Sequence, residues 1–109
     1  MRTRLLFPVV FSALLSLPAL AADYYVEITN KTGYQINKMF VSPGNQKSWE
    51  EDVLKSSVLR DGQTQRVNLK GYSSPIFDIQ LVDSDGDTYT FWDVNVEEYD
   101  LVVTPDDLD

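Results

Sequence analysis

The sequence predicts an all-β protein, a small antiparallel β-sandwich or open barrel of about six strands with one short helix. Three observations carry this expectation. Apolar and polar residues alternate with a period of two through residues 24–29, 64–69 and 76–82. Turn signals built from Gly, Pro, Asn and Asp recur about every ten residues. Only one stretch carries the chemistry of a helix start. A chain of 109 residues, 43% hydrophobic and 24% charged, has room for a single domain of this kind.

Residues 1–21 have the form of an export leader. Arg2 and Arg4 precede a short apolar stretch, and Ala19-Leu20-Ala21 supplies a small-x-small cleavage signature, so cleavage is expected after Ala21. Pro8, Ser12, Ser16 and Pro18 interrupt the apolar run, which leaves it short of the roughly 20 residues a bilayer span needs. The chain contains no Cys, and therefore no acceptor for a lipoprotein anchor. The expected product is residues 22–109, a soluble periplasmic or secreted domain with no membrane association.

In the domain itself, Tyr24, Val26 and Ile28 alternate with Tyr25, Glu27 and Thr29, as in a half-buried strand. Asn30, Lys31, Thr32 and Gly33 offer a tight turn, and residues 34–41 return as β-rich sequence, so the two are expected to form a hairpin. Ile36 and the run Met39, Phe40, Val41 cannot share one face, which calls for a bulge or for cover on both faces. Ser42, Pro43, Gly44 and Asn45 stop that strand.

The helix is expected over residues 48–54. Ser48 and Glu51 stand at capping-box spacing, Glu50, Glu51 and Asp52 fill a first turn where the helix dipole favours acids, and Trp49 and Val53 would share a face. Beyond it, Asp61 and Gly62 form a turn, and Val67 and Leu69 point inward from the next strand. A loop at residues 71–75 leads to the cleanest central strand, with Phe77, Ile79 and Leu81 on one face. Residues 83–87 contain Asp-Gly and close a second hairpin, whose returning strand carries Tyr89, Phe91 and Asp93 on one face. A last short strand at residues 99–104 precedes an acidic tail at residues 105–109 that is expected to fray.

The order Thr-Asn-Lys-Thr-Gly at 29–33, Val-Ser-Pro at 41–43, Trp-Glu-Glu-Asp-Val-Leu at 49–54, Leu-Arg-Asp-Gly at 59–62 and Asp-Ser-Asp-Gly-Asp at 83–87 resembles a family of small exported bacterial β-sandwich domains of unknown function. That family's pattern runs N-x-T-G, S-P, W-x-x-D-x-L, L-x-x-G and D-x-D-G, and the resemblance covers about residues 24–103. It implies a fold and an exported location rather than a chemistry. Where such chains often show Trp-Gly, this one has Trp49-Glu50.

Composition narrows the function. With neither Cys nor His, the chain has no thiol nucleophile, no Ser-His-Asp triad and no imidazole ligand, so a non-enzymatic role is expected. The excess of 17 acidic over 9 basic residues deepens once Arg2 and Arg4 are cleaved away, which disfavours nucleic acid and suits a cationic protein partner or a divalent cation. Two sites suggest themselves. Trp49, Glu50, Glu51 and Asp52 would make an acidic contact region for a basic partner in the cell envelope. Asp83, Asp85 and Asp87 alternate through a Gly-containing turn and could converge on Ca²⁺. Trp49 and Trp92, with Tyr72 and Tyr89, are either core or an exposed aromatic face.

The sequence therefore supports an interaction module, in its most specific form an acidic inhibitor or immunity-type protein. The alternative is a calcium-binding structural domain stiffened at residues 83–87. A hydrolase working with carboxylates alone is the third class, with no pair singled out by the sequence.

Overall fold

Six segments have the alternation or β-branched content to pair as strands, and they do so in two sheets. In a computed structural model, which describes residues 21–109, they are β1 (Ala22–Asn30), β2 (Ile36–Pro43), β3 (Thr64–Tyr72), β4 (Ile76–Asp83), β5 (Thr88–Asn95) and β6 (Leu101–Val103). The export leader and its cleavage signature lie outside the described residues apart from Ala21. One sheet has the order β3-β1-β6 and the other β2-β4-β5. All pairings are antiparallel except β1 with β6, which is parallel.

The core lies between the inward faces. Val26, Ile28, Val67, Leu69 and Val103 from the first sheet meet Met39, Val41, Phe77, Ile79, Leu81 and Tyr89 from the second. Phe77, Ile79 and Leu81 are fully enclosed, as expected of the central strand. Tyr24 and Tyr72 meet the Phe77 ring edge-on, with centroids 6.4 and 5.0 Å away, and close one end of the core with the geometry aromatic quadrupoles prefer.

Residues 83–87 form the expected hairpin between β4 and β5, with Gly86 at φ +84°. The expected bulge in β2 falls between Ile36 and Lys38, and it allows Ile36, Met39 and Val41 all to point inward while Phe40 faces outward.

Four expectations are corrected. β1 and β2 do not form a hairpin. Both edges of β1 are occupied, by β3 and β6, so the chain crosses to the other sheet. Asn30 anchors the crossing: its buried side chain donates to the carbonyls of Tyr34 and Leu59, and accepts from the Thr32 amide and hydroxyl. Residues 30–33 do turn the chain, but the direction of the turn depends on partners distant in sequence.

The helix over residues 48–54 does not form. A helix this short is marginal unless tertiary contacts support it, and here they favour something else. The Glu50 amide donates to Ser42 Oγ, the Val53 amide to the Met39 carbonyl, and the Asp52 carboxylate accepts from the amides of Met39 and Leu54. Bonding to β2 thus replaces the i to i−4 ladder, and the Ser48/Glu51 pair caps nothing helical. Among the described residues the helical turn is instead a 3₁₀ turn at Pro105–Asp107, with a capping box between Thr104 and Asp107.

The face of β5 shifts at Asp93, which is exposed and at φ +53°, so Val94 rather than Asp93 continues the inward row. The acidic tail is held rather than frayed. The Asp109 amide donates to the Thr88 carbonyl, its carboxylate accepts from the Thr88 and Thr90 hydroxyls and the Thr90 amide, and Leu108 bridges to Tyr89. These contacts cover part of the β5 edge, where unpaired backbone would otherwise invite association.

Candidate functional site

The outward face of the β2-β4-β5 sheet presents Phe40 and Ser42 from β2, Asp78 and Gln80 from β4, and Thr90 and Trp92 from β5. Ser42 and Asp78 are paired in register, and both are almost completely buried although they face away from the core. The cover comes from the loop that follows β2 and runs into the segment in which a helix is expected. Residues 44–50 fold back over this face, held by the bond from the Glu50 amide to Ser42 Oγ.

Trp49 is the centre of that cover. Its ring lies 6.1 Å from Phe40, tilted at 41°, and 5.6 Å from Trp92, nearly parallel at 29°. The three rings form a continuous row, Trp49 tilted against Phe40 and stacked on Trp92, in which Trp92 is the outermost member and 58% exposed. The four aromatic residues grouped by the sequence are therefore divided. Trp49 and Trp92 make an outer platform, Tyr72 packs against Phe77, and Tyr89 is buried.

Beside the platform lies an ionic cluster from three parts of the chain. Lys47 Nζ is 3.4 Å from Asp78 Oδ2 and 3.2 Å from Asp93 Oδ1, and it stands 5.5 Å from the centroid of the Trp92 ring. Asp78 Oδ1 accepts the Asp93 amide at 2.8 Å, which holds the bulge in β5. Each carboxylate oxygen of the buried Asp78 thus has a donor, as burial of a charge requires. The Asp93 carboxylate, to which Lys47 donates, raises the ammonium's pKa above its ordinary value, burial opposes this, and Asp78 adds to the rise. Gly44 packs tightly here: a Cβ at this position would come within 2.9 Å of Asp93 Oδ1 and 3.0 Å of Ile76 Cγ2. A groove of about 300 Å³ runs from Asp93 past Gly44 and Asn45 to Tyr72, Ser73 and Ser74.

The acidic contact region takes a different form from the one expected. Glu50 and Glu51 are exposed, Glu51 pairs with Lys55 at 2.9 Å, and Asp52 is occupied in holding the backbone. Of the four residues expected there, Trp49 belongs to the platform, and the Glu50 amide holds the covering segment to Ser42.

The three hairpin aspartates do not converge. Asp83 is buried, with Oδ1 accepting the amides of Asp85 and Asp87 and Oδ2 accepting the Tyr89 hydroxyl at 2.8 Å. Its oxygens are thus directed at the turn and at Tyr89, while Asp85 and Asp87 face solvent. Among the described residues no group of three acidic side chains is placed to hold a metal ion. Asp83 is a staple for the hairpin, a role that follows from turn chemistry.

Lys47, Asp78, Asp93 and Phe40 are site residues that reading the sequence misses. One signal for them exists: Asp78 interrupts the most apolar strand of the chain at an outward position. Nothing local marks Lys47.

The arrangement joins a largely exposed indole, an ammonium and an exposed carboxylate on a sheet scaffold. No family model, curated protein or solved structure matches this chain.

Proposed function

We propose that this protein is a non-catalytic interaction module of the cell envelope, periplasmic or secreted, that binds a cationic protein partner through the Trp49–Trp92 face. In its most specific form it is an acidic inhibitor or immunity-type protein. The observation that carries this reading is the 58% exposure of Trp92 at the end of a stack rooted on β2. Tryptophan is among the side chains most enriched where protein interfaces concentrate their binding energy. The acidic excess of the chain would speed association with a basic surface and make it salt-dependent.

The test is capture from periplasmic extract by the immobilised protein at low and at high salt, with Trp92→Ala alongside. The expected result is a basic protein retained at low salt, reduced at high salt and lost on the variant. Retention of nothing at either salt overturns the reading, as does equal retention by Trp92→Ala.

A further inference from the structure

The place occupied by Lys47 has the character of a receptor for a basic side chain. Its ammonium lies between two carboxylates and over the Trp92 indole, a charge pair and a π face in one location. One positive charge there faces two negative ones. Asp93 and Trp92 are open to solvent, with side-chain exposure of 62% for Asp93, so both have contact area to spare. Asp78 beneath them is closed off.

The backbone adds a second, independent observation. Lys47 has φ +54° and Asp93 φ +53°, a left-handed conformation that side chains with a Cβ adopt at some cost. Such residues concentrate at binding and switch sites, where surrounding contacts over-determine them. Here two of them face each other across one ion pair.

Lysine is an imperfect occupant of this place. Its ammonium is a compact point charge, whereas a guanidinium is planar, can grip a carboxylate with two parallel N–H donors and stacks flat on an indole. Lys47 itself remains 55% exposed. Building on the cationic-partner reading, we infer that Lys47 is an internal stand-in that a partner's arginine displaces. The incoming guanidinium lies over Trp92, pairs with Asp93 and takes over the contact to Asp78 Oδ2, and Lys47 moves out to solvent. Lys47 therefore acts as a competitor that tunes affinity, so its removal strengthens binding, the opposite of what a contact residue does.

The test is titration of the isotope-labelled protein with argininamide at low salt, following the Trp92 indole N–H by nuclear magnetic resonance. If Lys47 holds the place about three-quarters of the time, Lys47→Met lowers the half-saturating concentration about fourfold. Lys47→Arg, a better internal competitor, raises it several-fold, and Asp93→Asn abolishes the response. Should Lys47→Met fail to fold because Asp78 is left unpaired, Lys47→Arg decides. Unchanged or weaker binding by a folded Lys47→Met, unchanged binding by Lys47→Arg, or shifts confined to residues away from Trp92 overturn the inference. If extract capture still depends on Trp92 while the Lys47 variants bind argininamide as the wild type does, the interaction face stands and the displaced lysine alone is lost.

Discussion

Trp92 stacks on Trp49 with ring centroids 5.6 Å apart, and the pair fastens the outer face of β5 to the loop that leaves β2. The two rings have different tasks. Trp49 lies between Phe40 and Trp92 and is half-buried, whereas Trp92 has one neighbour in the stack and is mostly open to solvent. Trp92→Ala is expected to lower stability by about 1 kcal/mol, the worth of one aromatic pair. Trp49→Ala, which empties the middle of the stack, is expected to cost about 2–3 kcal/mol. Urea unfolding of both variants checks this, and equal midpoints would contradict the division of tasks.

The hairpin at residues 83–87 depends on one carboxylate. Asp83→Ala leaves two turn amides and the Tyr89 hydroxyl without their partner, at an expected cost of about 2–4 kcal/mol. Asp85→Asn and Asp87→Asn, at exposed positions, are expected to stay within about 0.5 kcal/mol. Thermal melting in calcium and in chelator is expected to give the same midpoint, because the Asp83 oxygens are already engaged. A calcium-dependent rise would restore the hairpin as a metal site.

Two groups give pH dependence of opposite sign. Burial, reinforced by the Asp83 carboxylate, pushes the Tyr89 phenol up to about 12 from its ordinary 10.0. A pKa raised by folding means a contribution fully present below pH 10 and lost as the pH climbs toward 12. Tyr89→Phe removes that slope. At the other end, burial disfavours the Asp109 carboxylate, but the hydroxyls of Thr88 and Thr90 and the Thr90 amide outweigh this and bring it below its ordinary 3.8. Its contribution is present above pH 3.8 and is lost as the pH falls through the lowered value. Protection of the Thr90 amide, relative to its intrinsic exchange rate at each pH, is expected to fall on acidification in the wild type and to be low throughout in Asp109→Ala.

Glycine substitutions separate backbone strain from crowding. Gly86 has φ +84° with open space where a Cβ would project, so Gly86→Ala is expected to cost about 1 kcal/mol and leave the Trp92 face unchanged. Gly44→Ala would press on Asp93 and Ile76, at an expected cost of about 1–3 kcal/mol, and would push the Asp93 carboxylate away from Lys47. Denaturant midpoints measure the costs, and the Trp92 indole resonance should shift only for Gly44→Ala.

Much of the inward face is legible in the order of residues. Val26 with Ile28, Val67 with Leu69, and Phe77 with Ile79 and Leu81 are buried as their alternation indicates, because a strand's two-residue period leaves little choice about which side meets the core. The Asp-Gly hairpin is equally plain, since it follows from local conformational preference, whereas the bulge in β2 is one of two arrangements its apolar run allows. The helical signal at residues 48–54 misleads because capping spacing and acidic residues act locally, and the amide and carbonyl of Met39 overcome them from another strand.

The sequence by itself thus determined the β class, the inward residues and the tightest turn, all consequences of chemistry between near neighbours. Only the tertiary structure decided that β1 pairs with β3 and β6 while β2 joins β4, and that Lys47, Asp78 and Asp93 meet beneath an exposed tryptophan. Strand partnership and the assembly of a site from distant segments are settled by which arrangement buries apolar area on both sheets at once while leaving no inner charge unpaired. That condition is a property of the whole chain and is written in no single stretch of it.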